Sequence, residues 1–131
     1  MKEISVVAAI IKYNNKILCV QRGENKYEYI SYKYEFPGGK IEKGESLKET
    51  VIREINEELK MLIKPEEAFI TVTHQYPDFL LTMHTFICSC EDPKVFLTEH
   101  VDYKWLATAE LENLDWAAAD IPIVNKLVSN G

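Results

Sequence analysis

Residues Ser46 to Met61, SLKETVIREINEELKM, constrain the fold most tightly, because every local signal in them agrees on an amphipathic helix. Ser46 is a good N-cap, and Glu49 three residues on completes a capping box. Val51, Ile52, Ile55 and Leu59 fall on one stripe at helical spacing. Glu54, Glu57 and Glu58 stand at i, i+3 and i+4, so at about 100° per residue they share a face beside that stripe. Three carboxylates within roughly 6 Å of one another repel, and the helix gains no stability from them. Two readings follow. The cluster is a solvated acidic face, or it is a site for a hard cation such as Mg²⁺, which takes oxygen ligands and keeps several waters.

The rest of the chain supplies a sheet for this helix. Ile4 to Ile11 is an apolar run rich in β-branched residues and reads as a buried strand. Asn14-Asn15 reads as a turn and Lys16 to Gln21 as the returning strand. Arg22 to Glu35 is polar and Tyr-rich and reads as a loop, punctuated by Phe36-Pro37-Gly38-Gly39. Ala68 to Tyr76 and Phe79 to Cys90 read as strands around Pro77-Asp78, and Val101 to Leu106 as a short strand. Thr108 to Leu114 is expected to be a short helix capped by Thr108. Asp120 to Val128 is expected to be the last helix, with Pro122 in its first turn. The mixed order predicts an α+β domain spanning residues 1–131.

The chain's 131 residues suffice for one core without disulfide or metal staples. A net charge of −6 argues against a basic face for a nucleic acid polymer. It leaves room for a small anion held through a divalent cation. No stretch reads as a membrane span, and no signal peptide is visible. Three cysteines, an odd number, suggest reduced thiols and a cytoplasmic setting. Cys88 and Cys90 share a strand face and read as core residues. His74, His84 and His100 show no ligand spacing and read as structural.

Residues 39 to 61, GKIEKGESLKETVIREINEELKM, resemble the Nudix hydrolase signature at Gly39, Glu45, Arg53, Glu54, Ile55, Glu57, Glu58 and Met61. The departure is Lys60, where the family has a helix-ending glycine; lysine there should cost about 1 kcal/mol or shift the helix end. The run Tyr34 to Lys40, the Tyr76-Pro77-Asp78 turn, Glu99 to Trp105 and Ala119 to Pro122 look like the MutT-like branch, the last closest to CTP pyrophosphohydrolases. The resemblance implies a Nudix fold, a mixed β-sheet sandwiched between α-helices with the signature as loop-helix-loop. It implies that Glu54, Glu57 and Glu58, with the Gly39 carbonyl, hold Mg²⁺ or Mn²⁺, and that Arg53 pairs with Glu45 as a scaffold. Glu57 or Glu58 would take the proton of the attacking water. Glu99, six residues before Trp105, is either a further metal-linked glutamate or a solvated loop residue.

The same resemblance makes Arg22 a phosphate-binding arginine, with Lys40 a weaker candidate. The implied substrate is a nucleoside triphosphate, with a nucleoside monophosphate and pyrophosphate as products. Phe36 either stacks on the base or packs. Asp120 is expected to accept from an exocyclic amine such as cytosine N4, or to cap the last helix. The former points to CTP, dCTP or a modified cytidine triphosphate. A protonated Asp120 would reopen the oxidised-purine alternative, 8-oxo-dGTP. A non-catalytic nucleotide-sensing module is disfavoured by the intact carboxylates, and a nucleotide-sugar or dinucleoside polyphosphate hydrolase by the short chain. A monomer or homodimer is expected. The Tyr-rich loop is either a base or sugar wall or surface packing.

Overall fold

A computed structural model describes residues 2–130. Strands β1 (Lys2–Tyr13), β2 (Lys16–Gln21), β3 (Tyr34–Glu35) and β4 (Gly38–Lys40) precede helix α1 (Leu47–Leu59). Strands β5 (Ile63–Gln75), β6 (Phe79–Cys90) and β7 (Asp102–Leu106) follow, then two 3₁₀ segments (Thr108–Asn113, Ala118–Asp120) and helix α2 (Ile121–Asn130). The strands form one mixed sheet in the order β3-β2-β1-β6-β5, with β4 also on β1 and β7 also on β2.

Strand β1 is central. It runs parallel to β6 from Lys2↔Phe79 to Lys12↔Ser89. On its other edge, Lys12 and Tyr13 pair with β2, while Val6, Val7 and Ala8 pair with β4. Its apolar run lacks a polar alternate because both faces are covered. Val7, Ala9 and Ile11 pack with Val51, Ile55 and Leu59 of α1. Ala8 and Ile10 pack with Ile123, Val124 and Leu127 of α2. The expected sandwich of a mixed sheet between helices is therefore what forms. Asn14 and Asn15 both take positive φ, 49° and 63°, as a tight hairpin turn requires.

Helix α1 starts as expected, with Ser46 and Glu49 forming a reciprocal capping box. It ends at Lys60, which adopts the left-handed conformation (φ 55°, ψ 38°) usually left to glycine. The Lys60 N–H still donates to the Asn56 carbonyl at 3.1 Å. The carbonyls that would be left open at this end are closed by the β6–β7 segment. Phe96 N donates to Leu59 O (3.0 Å), and Thr98 N (3.2 Å) and Oγ1 (2.7 Å) donate to Glu58 O.

Three expectations need correction. Strand β5 begins at Ile63, not Ala68, because register shifts at Pro65/Glu67 and Ala68/Thr71 accommodate the proline without ending the strand. Thr108 does not cap its segment: the cap position is Ala107, with no side-chain cap bond, and the segment is 3₁₀ rather than α. The Asp120 carboxylate goes to the Phe36 N–H (3.0 Å), across the fold, rather than to the start of α2. No helix among the described residues is long and apolar enough to cross a membrane.

Candidate active site

Arg53 organises the signature loop. Its Nε and Nη2 clasp both oxygens of Glu45 at 2.7 and 2.9 Å, and Nη2 also reaches the Lys40 carbonyl at 3.2 Å. Nη1 donates to Glu54 at 2.9 Å and to Glu57 at 3.3 Å. The bonds from Arg53, joined by the Glu42 N–H and the Thr50 hydroxyl, pull the Glu45 carboxyl down to about 2. A bidentate guanidinium thus ties the loop of residues 40–45 to the helix that carries the carboxylates.

The helix glutamates separate by environment. Glu57 is exposed, with 59% of its side chain accessible, and Glu54 is largely covered. The Glu54 carboxylate packs against Gly39 so closely that a β-carbon there would overlap it. Glu58 turns inward, and its Oε2 is buried without a hydrogen-bond partner. Burial, with Glu54, Glu35 and Glu99 close by, pushes its carboxyl up to about 9. Burial likewise raises Glu54, against the opposing effect of Arg53. Among the described residues, no three His, Cys, Asp or Glu side chains converge as a finished coordination shell. Arg53 occupies Glu54 and Glu57. The donor set is nonetheless one that a hard cation would satisfy: a buried Glu58 oxygen lacking a partner, beside carboxylates whose charges raise its proton affinity.

A hollow beside Glu58 is lined by Arg22, Glu35, Glu99 and His100. It adjoins a larger cleft of about 420 Å³ that also includes Arg22 and Glu35. All four residues expected at the substrate, Arg22, Phe36, Lys40 and Asp120, line that cleft. Phe36 is only 3% exposed and stacks on Trp116 (centroids 4.7 Å, planes 25° apart), so packing claims at least one face of its ring. Asp120 is buried, and desolvation raises its carboxyl well above the usual range. Tyr27, Tyr76 and Phe79 form an aromatic wall, with Tyr29 stacked between Tyr27 and Tyr76 and donating to Asp78 at 2.7 Å. Tyr34 instead belongs to the core, and Tyr32 is exposed.

The sequence pattern of the NUDIX domain matches residues 6–126. The chain belongs to the Nudix hydrolase family. Over 128 residues this Nudix chain is 28% identical to an 8-oxo-dGTP diphosphatase of Escherichia coli (strain K12), covering 97% of this chain and 98% of that protein. Over 129 residues it is 30% identical to a CTP pyrophosphohydrolase of the same strain, covering 98% and 94%. The solution NMR structure of the DNA mismatch repair protein MutT, a Nudix hydrolase from methicillin-resistant Staphylococcus aureus 252, superposes with a TM-score of 0.77. It shares 43% identity and covers 100% of both chains.

Sequence reasoning missed two members of this Nudix site. Glu35 binds Arg22 Nε through Oε1 (2.8 Å) and His100 Nε2 through Oε2 (2.9 Å). Burial works against its ionisation, but the bonds from His100 and Arg22 outweigh it and hold the carboxyl below the usual range. Its partners lie 13 and 65 positions away, so no spacing rule reaches them. His74, by contrast, packs edge-on to Tyr76 at 4.5 Å and is absent from the cleft lining.

Proposed function

We propose that this Nudix hydrolase is a divalent-metal-dependent nucleoside triphosphate pyrophosphohydrolase that releases a nucleoside monophosphate and pyrophosphate, with cytidine triphosphates as its substrates. The supporting observation is the buried, unpartnered Oε2 of Glu58, set beside Glu99 and Arg22 where an acidic hollow meets the cleft. Glu54, Glu57, Glu58 and Glu99, with the Gly39 carbonyl, are the groups that would hold Mg²⁺ or Mn²⁺. The bound cation supplies neutralisation of the triphosphate and a water of lowered pKa. Arg22, braced by Glu35, holds phosphate oxygens, and Lys40 adds positive charge at the same rim. Glu57 or Glu58 accepts the proton of the attacking water. The water oxygen bonds to phosphorus as the bridging P–O bond breaks, and pyrophosphate carries away the bonding pair. Arg53 and Glu45 act as scaffold.

Asp120 lines the same cleft, and its acceptor oxygen suits the exocyclic amine of cytosine. One observation favours a second reading. Burial raises the Asp120 carboxyl well above its usual range, and Phe36 N–H occupies Oδ1. A protonated Oδ2 could then donate to O6 of an oxidised guanine, making 8-oxo-dGTP the substrate. A panel of CTP, dCTP, 5-substituted cytidine triphosphates and 8-oxo-dGTP with Mg²⁺, read as monophosphate and pyrophosphate, separates the two. Glu57→Gln should lower turnover by orders of magnitude with the fold intact. Wild-type rates in that variant, or full activity in excess EDTA, would refute the reading.

A further inference from the structure

Glu99 lies in the segment between β6 and β7, and the backbone fixes that segment on both sides of a two-residue gap. Thr98 is bound to the Glu58 carbonyl at the end of α1. The Val101 N–H donates to the Gln21 carbonyl at the end of β2 (2.9 Å). Within the gap stand Glu99 and His100; Glu99 lines the hollow beside Glu58, and the His100 side chain is buried in the fold. Its imidazole is 4% exposed and meets Glu35 Oε2 at 2.9 Å. Glu35 is an acceptor, so Nε2 carries the proton and donates. The other ring nitrogen, Nδ1, is buried with no partner among the described residues. One bond therefore orients the ring.

Stability alone does not account for this arrangement. A buried polar ring with one unpaired nitrogen forfeits hydration that a leucine of similar bulk would never have had. The position of the bond is informative instead. The Glu35 carboxylate that receives His100 on one oxygen receives Arg22 Nε on the other, at 2.8 Å. Arg22, Glu35, Glu58, Glu99 and His100 all line the same hollow.

We propose that His100 is a positioning residue: by donating to Glu35 it seats the Glu99 loop against Glu58 and joins it to the support that holds Arg22. The proposal rests on the reading above that Glu99 helps to hold the cation. It extends the site from the signature helix to a histidine 42 positions beyond Glu58 that touches neither phosphate nor cation.

The test compares His100→Leu, His100→Asn (too short to reach Glu35), His100→Gln (whose amide still can) and Glu99→Gln, together with the Glu99→Gln/His100→Leu double variant. Three readouts are taken on the full chain: pyrophosphate release from CTP with Mg²⁺, Mn²⁺ binding by electron paramagnetic resonance without nucleotide, and amide exchange at Val101 in the metal-free protein. Loss of a bond that supports a metal-linked group costs about 10–100-fold in metal affinity or activity. The leucine and asparagine variants should show such a loss in kcat and Mn²⁺ affinity, with KM nearly unchanged and faster exchange at Val101. His100→Gln should recover most of it. Added to Glu99→Gln, His100→Leu should cost almost nothing more, because both act through one group.

Wild-type kcat and Mn²⁺ affinity in the asparagine and leucine variants, or full additivity in the double variant, would overturn the proposal while leaving Glu99 in place. An unimpaired Glu99→Gln would remove Glu99 itself, and the proposal with it. If the leucine variant does not fold, the asparagine and glutamine pair decides, since both are polar and differ in reach.

Discussion

The two adjacent glycines at the start of the signature should respond to the same substitution in opposite ways. A methyl at Gly38 would fall on the Val7 carbonyl oxygen and stand 2.8 Å from the Ala8 Cα, both backbone atoms of the central strand. A methyl at Gly39 would fall on the Glu54 carboxylate, 2.8 Å from its Oε1, at the movable end of a side chain. Backbone cannot yield, so Gly38→Ala should approach the upper end of overpacking costs, about 3 kcal/mol. At about 2.1 cal/mol/K per residue over 131 residues, each kcal/mol is worth roughly 4 °C, which puts the Tm about 11 °C lower. Gly39→Ala should cost a third of that or less, because Glu54 can swing away. To restore ordinary contact the carboxylate must retreat on the order of 1 Å, and a displacement of that size at a reacting centre costs about 100-fold in rate. Thermal melts and pyrophosphate release with Mg²⁺ measure the pair. A Gly39→Ala enzyme at wild-type turnover, or a Gly38→Ala protein as stable as Gly39→Ala, would refute the reasoning.

Lys60→Gly removes a left-handed penalty of about 1–2 kcal/mol and adds roughly 0.5–1 kcal/mol of glycine chain entropy, so Tm should rise by a few degrees with turnover unchanged; a lower Tm would contradict it. Glu58, raised by burial from 4.5 to about 9, contributes stability to the metal-free chain that is intact below about pH 4.5 and lost as pH climbs toward 9. Denaturant melts from pH 6 to 9 should therefore fall more steeply for wild type than for Glu58→Gln, and equal slopes would argue against the buried carboxyl. Asp120 follows the same sign, since its folded-state carboxyl is also raised. Asp120→Asn keeps the acceptor for Phe36 N–H, so its stability gain over wild type should appear only above about pH 4 and grow with pH. The same variant should lower the ratio of cytidine to 8-oxoguanine turnover, and an unchanged ratio would remove Asp120 from base selection.

Signals that act within one or two turns of chain were legible. The capping box, the Asn14-Asn15 hairpin, the apolar central strand and three of the four stripe residues, Val51, Ile55 and Leu59, follow from local chemistry, whereas Ile52, expected on the same stripe, is 40% exposed. So did the convergence of Arg22, Lys40 and Asp120 on one cleft, through the family pattern rather than through spacing. What escaped was set by tertiary partners. Pro65 continues a strand because bulges absorb it. The Asp120 carboxylate is claimed by a backbone amide 84 positions away, which overrides the capping tendency of its type. Glu35 and His100 are ordinary residues in sequence and become a buried pair only when β3 and the β6–β7 segment meet.

The parallel pairing of β1 with β6 has a consequence for biogenesis. Strand β1 has its longest partner in residues 79–90, so the middle of the sheet stays open until that later strand has been synthesised. During that interval an apolar β-branched ribbon is exposed with an unpaired edge, in a form prone to associate with other nascent chains. Ile4 to Ile11 is thus the segment a trigger-type chaperone would shield, and arrest-peptide force measurements should show no folding tension until β6 clears the exit tunnel.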